Sequence, residues 1–201
     1  MQVTVNQTDT SSFAEIARRP LRTEECALLV IDIQEKLLPA IFNKETLVRN
    51  AQLLIRLAEI LQLPVLLSTQ YVKGLGPTVP EIASLLPGVR AVDKLEFGCF
   101  GNDDYCAATK SLSGSRNTLL LCGMETHICV LQTTLGALNR GYLVHVAADA
   151  VGSRTEANWK IGLRRMEQAG AVISSTEMMI YELLQASGTA AFKQMLPYLK
   201  S

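Results

Sequence analysis

Histidine is scarce in the 201-residue sequence, with only His127 and His145 present, and acidic and basic side chains balance at 19 each. The scarcity leaves little material for a histidine-based catalytic pair. The balance, with no long basic stripe, offers nothing to a phosphate backbone, so nucleic acid is not an expected partner. A net charge of zero also gives weak long-range repulsion between copies, which suits a homo-oligomer. No uninterrupted apolar run reaches about 18 residues, so no membrane partner is expected.

The polar start Met1–Ser12 lacks a signal peptide's charged-then-apolar layout. Phe13–Arg22 is basic and amphipathic, but Glu15, Glu24 and Glu25 count against a transit peptide. Residues 1–25 read as an N-terminal arm and 26–201 as one domain. The five cysteines, Cys26, Cys99, Cys106, Cys122 and Cys129, are an odd and sparse set, which predicts reduced thiols and a cytoplasmic address.

What the chain does have is 48% hydrophobic residues, enough for a buried sheet covered on both faces. Ala27–Asp32 is too continuously apolar for a half-exposed strand and predicts one buried on both sides. Further strands are predicted at 64–68, 90–93, 117–122, 142–148 and 171–174. Helices are predicted at 46–61 with Thr46 as cap, 81–86, 103–112, 126–139, 156–169, 176–185 and 189–199. Gly74, Gly76, Pro77 and Pro80 mark 71–80 as a loop. Six strands alternating with helices predict an α/β three-layer αβα sandwich around a mostly parallel six-stranded sheet. Ligands of such sheets bind beyond the strands' carboxyl ends, which is where functional residues should lie.

Asp32, Lys94 and Cys129 each follow a predicted strand. An ionised Asp32 at the end of an apolar run needs a partner. Cys129 stands at a strand-to-helix turn, where peptide dipoles would lower a thiol's pKa and unpaired N–H groups could hold an oxyanion. His127, two residues earlier, would point roughly 200° around the helix from the sulfur. The carboxylate then inherits proton transfer and the ammonium charge stabilisation.

The segments Leu29–Gln34, Lys94–Phe97 and Gly123–Val130, in this order and spacing, resemble three motifs of the isochorismatase-like cysteine hydrolases, a superfamily that includes nicotinamidases and N-carbamoylsarcosine amidases. The resemblance runs from Cys26 onward. It implies that Asp32, Lys94 and Cys129 form a catalytic triad, that the N–H groups of Glu125 and Cys129 form an oxyanion hole, and that the Met124–Glu125 peptide is cis. Tyr71–Thr78 and Asp149–Arg154 resemble a less characterised group of hydrolases within it. The expected activity is hydrolysis of a small amide or related C–N bond through a thioester. Alternatives are vinyl ether hydrolysis, where acid chemistry suffices, and a non-catalytic, redox-sensing protein using Cys129 and Cys99.

The sequence departs from the family pattern in places. Ser68–Tyr71 stands where nicotinamidases carry an Asp/His metal cluster, so neither metal nor other cofactor is expected. Gly98-Cys99-Phe100 alters the residues after the lysine motif, and Glu125 replaces a small residue. Gln34, Gln70, Tyr71, Phe97 and Cys99 are candidates for lining a small-molecule site. Cys26 and Cys122 read as core, Phe42, Phe97 and Phe100 as core fillers, His145 as a hydrogen-bonded interior residue and Asp149 as a cap or loop pin.

Overall fold

A computed structural model describes residues 18–112 and 116–200. Residues 1–17 of the predicted arm lie outside the described residues. The described remainder of the arm is packed down: Leu21 is buried, its N–H donates to Glu182 at 3.1 Å, and a short 3-10 turn, Thr23–Glu25, leads into the sheet.

Six strands form the sheet: β1 (Cys26–Ile31), β2 (Val65–Gln70), β3 (Val92–Lys94), β4 (Thr118–Met124), β5 (Leu143–Gly152) and β6 (Val172–Ser174). Their order is β3-β2-β1-β4-β5-β6, and every pairing is parallel, so the expected mostly parallel sheet is wholly so. The helices are α1 (Lys44–Leu61), α2 (Val72–Leu75), α3 (Pro80–Ala83), α4 (Asp103–Lys110), α5 (Leu131–Leu138), α6 (Glu156–Gln168), α7 (Thr176–Leu184) and α8 (Ala190–Leu199).

Alternation along β1 shows how the layers arise. Leu28 and Val30 point into one core with α1, α7 and α8, whereas Ala27, Leu29 and Ile31 point into a second core with α4, α5 and α6. All six β1 residues are buried, as a strand covered on both faces requires. Asn102, Thr155, Ser175 and Thr189 cap α4, α6, α7 and α8 with their side chains.

The structure corrects several boundaries. Helix α1 begins two residues before the predicted Thr46 cap; Asn43 precedes it without a side-chain cap bond and donates to Val151 O at 3.1 Å. The predicted 71–80 loop contains the short α2, entered through Tyr71 in left-handed conformation with φ of 44°. The predicted helix over 126–139 opens as a π-helical turn, Thr126–Val130, before α5. Strand β5 runs on to Gly152, past a register shift opposite Leu121 and Gly123, so it reaches the carboxyl edge beside the turn after β4.

Candidate active site

Strand order reverses between β1 and β4: the chain builds outward from β1 on one side and from β4 on the other. That is the switch point at which open α/β sheets form a crevice beyond the carboxyl ends. Asp32 leaves the end of β1 with φ of 52°, and the turn holding Cys129 leaves the end of β4. Between them, Gly123 lies in register with Ile31. Lys94 ends β3, in register with Gln70 at the end of β2.

These placements bring the three predicted residues together. Lys94 Nζ lies 2.6 Å from Asp32 Oδ2, with no exposure of either side chain. Lys94 Nζ also donates to Gln70 Oε1 at 2.8 Å and to Phe97 O at 3.3 Å. Three acceptors therefore match the three protons of the ammonium. Burial alone would push Lys94 toward neutrality, but the Asp32 carboxylate together with the Cys129 and Cys99 sulfurs outweighs it and holds the group above the usual lysine range. The other carboxylate oxygen, Oδ1, accepts from Ser68 Oγ at 2.7 Å.

Cys129 is 5% exposed, and its thiol lies within the influence of the Asp32 carboxylate. Sequence reasoning expected peptide dipoles to lower this thiol. Instead burial, followed by the Asp32 charge, pushes it well up, and Lys94 only partly opposes them. The resting sulfur is a neutral thiol beside a carboxylate.

Residues 26–178 match the isochorismatase domain family. The chain belongs to that family. A secreted isochorismatase effector, Isc1, of Phytophthora sojae is 38% identical over 176 residues, covering 86% of this chain and 83% of its own. Mouse isochorismatase domain-containing protein 2A is 37% identical over 179 residues, covering 88% and 84%. Among solved structures, the MAR1 ribonuclease of Caenorhabditis elegans superposes with a TM-score of 0.84 at 33% identity, over 91% of this chain and 93% of its own. YcaC of Escherichia coli, described as an octameric hydrolase of unknown specificity, gives 0.81 at 26% identity, over 90% and 93%. YcaC of Pseudomonas aeruginosa, solved with covalent acrylamide, gives 0.83 at 26%, over 91% and 95%.

On this isochorismatase-domain scaffold the remaining candidates fall into two groups. Tyr71 and Phe97 are 48% and 55% exposed and stand at the outer end of the strands, Tyr71 N donating to Lys94 O at 3.0 Å. Gln34, Gln70 and Cys99 do not line an opening. Gln34 is fully buried, its amide donating to Gln70 O at 3.1 Å and Gly76 O at 2.6 Å while accepting from Gln70 N at 2.7 Å. Gln70 divides its amide between Lys94 and Leu95 O. Both glutamines are struts, because their polar atoms are already spent within the fold. Cys99 has no exposure and sits behind Asp32, its Sγ 3.5 Å from Ser68 Oγ and its N–H donating to Thr133 Oγ1 at 3.0 Å.

The turn around Cys129 is pinned from outside. The Met124–Glu125 peptide is cis, as the resemblance implied. The Glu125 side chain turns toward the segment just after β5, where Arg154 meets it with three bonds of 2.6, 3.0 and 3.1 Å. Burial would raise the Glu125 carboxyl, but Arg154 outweighs it and holds it below the usual range. His127 bonds Ser153 Oγ through Nδ1 at 3.0 Å, facing away from the sulfur as its spacing predicts. Asp149 holds the start of α7, accepting from Thr176 N at 2.7 Å and Oγ1 at 2.9 Å. Of the phenylalanines predicted as core, only Phe100 is buried; Phe42 is 44% exposed and packs edge-on against Trp159. Among the described residues no cluster of His, Cys, Asp and Glu is arranged to hold a metal ion.

Sequence reasoning missed Ser68, Thr133 and Arg154. Thr133 lies four residues after Cys129, a spacing that would place it on the sulfur's helical face, but the π-helical turn intervenes. Ser68 and Arg154 fell inside quoted segments without a role, and nothing in their spacing signals one.

Proposed function

We propose that the protein is a cysteine hydrolase that cleaves a small amide or related C–N bond. One observation carries this reading: Asp32, fully buried, is paired with Lys94 at 2.6 Å, and its charge bears on the Cys129 thiol, at the switch point of the sheet. In the proposed cycle the sulfur attacks the carbonyl carbon while its proton passes to Asp32. Backbone N–H groups of Glu125 and Cys129 hold the oxyanion. The intermediate collapses, the C–N bond breaks, and Asp32 returns the proton to the leaving nitrogen. Water then attacks the thioester with Asp32 accepting its proton, the C–S bond breaks, Asp32 returns the proton to the departing sulfur, and Lys94 holds the Asp32 side chain in place.

The near-complete burial of Cys129 favours a small substrate over a polymer. The balanced charge points the same way, although the C. elegans relative is named a ribonuclease. The acrylamide adduct on the P. aeruginosa relative accords with thiol chemistry in this family, since acrylamide is an electrophile that adds to sulfur. The octameric E. coli relative supports a homo-oligomeric assembly here. The cytoplasmic address rests on five free thiols; the P. sojae relative is named as secreted. Among the described residues no helix is long and apolar enough to cross a membrane.

The test is a screen of small amides, ureides and carbamoyl compounds, with a vinyl ether and a short RNA as competing substrates, and mass spectrometry for an acyl adduct on Cys129. Amide turnover with that adduct is expected. Turnover of the vinyl ether that survives Cys129→Ala would replace the reading with acid chemistry by Asp32. An inert thiol without any turnover would replace it with a binding or redox role.

A further inference from the structure

A carboxylate sits at the root of the turn that carries Cys129. Glu125 heads the helical turn Thr126–Val130, which runs on into α5, and its side chain makes no cap bond to that turn. The side chain is 5% exposed, and among the described residues every hydrogen bond to it comes from Arg154. Arg154 Nε reaches Oε2 at 3.1 Å, its terminal NH2 reaches Oε1 at 2.6 Å, and its backbone N–H donates to Oε2 at 3.0 Å. The backbone of the turn is fixed by other contacts. Gly162 of α6 packs so close that a Cβ there would lie 3.1 Å from His127 Cα and 3.2 Å from the Thr126 carbonyl carbon. His127 bonds Ser153 Oγ at 3.0 Å, and the N–H groups of Ile128 and Val130 donate to Glu125 O at 2.9 and 3.2 Å. None of these contacts decides where the Glu125 carboxylate goes. A carboxylate at the start of a helix is drawn to the unpaired N–H groups there by their positive partial charge. In this turn those groups are the ones assigned to the oxyanion.

We propose that Arg154 is a positioning residue that holds the Glu125 carboxylate away from the oxyanion site, so that the N–H groups of the turn stay open to the substrate. The proposal rests on the reading of the Glu125 and Cys129 N–H groups as the oxyanion hole. The forked bonds from Arg154 tie both carboxylate oxygens to the segment just after β5. A carboxylate loose in the crevice would compete with the substrate's oxygen for the same donors and repel the charge that develops on it. Arg154 is 57% exposed, and every hydrogen bond its side chain makes among the described residues goes to Glu125, so its effect passes through that residue.

Because the substrate is unidentified, the probes are acrylamide and iodoacetamide, reacted with the full chain, and peptide mass spectrometry follows each addition at Cys129. With acrylamide the sulfur bonds the terminal alkene carbon, the displaced electron pair develops on the carbonyl oxygen, and a proton ends on the α-carbon. With iodoacetamide the sulfur displaces iodide, and the carbonyl oxygen gains no charge. Arg154→Met should slow acrylamide by about tenfold or more, the size expected for a lost hydrogen bond to a charged oxygen. It should slow iodoacetamide far less. The double variant Glu125→Ala/Arg154→Met has no carboxylate to intrude and should recover most of the lost acrylamide rate. Arg154→Lys, which keeps the cation without the fork, should be slowed less than Arg154→Met. Should Arg154→Met fail to fold, Arg154→Lys and Glu125→Ala/Arg154→Lys are compared in the same way. An unchanged acrylamide rate in Arg154→Met, equal slowing of both probes, a double variant as slow as the single one, or Arg154→Lys slower than Arg154→Met overturns the proposal and leaves the oxyanion reading standing. A wild-type Cys129 whose ratio of acrylamide to iodoacetamide rates equals that of free cysteine overturns the oxyanion reading and the proposal with it.

Discussion

Lys94 Nζ and Asp32 Oδ2 lie 2.6 Å apart with both side chains sealed from solvent, so each is the reason the other can remain charged. Removing one partner leaves an uncompensated charge in the core, whereas removing both leaves a problem of volume only. Lys94→Met should therefore lower unfolding stability by about 3–5 kcal/mol. The double variant Asp32→Leu/Lys94→Met should lose less than the single one, and both should be inactive. Urea unfolding of the two proteins checks this: a double variant less stable than Lys94→Met contradicts the view of the pair as mutually compensating.

Cys129 contributes a sulfur within the influence of Asp32 and little else that the fold requires. Cys129→Ala should stay within about 1.5 kcal/mol of wild type, in the range of a small core truncation. It should also lose every covalent adduct and all amide turnover. Thermal unfolding and intact-mass measurement after exposure to acrylamide separate the two effects. An alanine variant that still acquires the adduct would assign reactivity to one of the other four cysteines, of which Cys26 and Cys122 are each pushed up to about 12 by burial first.

The sheet was legible because buried parallel strands write continuous apolar runs, as Ala27–Ile31 does, and because glycines such as Gly141 and Gly170 punctuate the returns. The meeting of Asp32, Lys94 and Cys129 was legible for a related reason: each stands at or just past the end of a strand, and strand ends share one edge. What the sequence concealed depends on direction. Gln34, Gln70 and Cys99 were placed at the right edge but turn inward, and no periodicity reports which way a side chain turns after its strand ends. The sign of the Cys129 shift was hidden too, because the dipole argument is local whereas burial is a property of the assembled fold. Ser68 reads as one more small polar residue until β1 and β2 pair and set it beside Asp32.

Gly123 holds the two strands of the switch point together. Its φ is +126°, and a Cβ there would sit 2.0 Å from the carbonyl oxygen of Ile31, a backbone atom of the neighbouring strand. Neither the torsion nor the clash can be relieved by a rotamer change. Gly123→Ala should cost about 3 kcal/mol or more and disturb the turn that carries Cys129. Denaturant unfolding reads the first effect and the acrylamide rate the second. A variant as stable and reactive as wild type contradicts this account of the β1–β4 contact.

His145 gives the fold a pH dependence that has nothing to do with the active site. It lies in β5, 5% exposed, and its Nδ1 has no hydrogen-bond partner among the described residues, so it is interior as predicted but not bonded there as predicted. Burial lowers its pKa from 6.5 to about 4. The unfolded chain therefore binds this proton more readily than the folded one. The contribution is fully present above pH 6.5, declines as the pH falls, and is gone once the pH passes below about 4. Its size over that window is about 3 kcal/mol. His145→Leu keeps an apolar side chain in the strand and has no proton to bind, so its stability should fall less steeply than wild type between pH 6.5 and 4. Parallel urea titrations of the two proteins across that range measure the difference, and superimposable slopes would contradict the assignment of this dependence to His145.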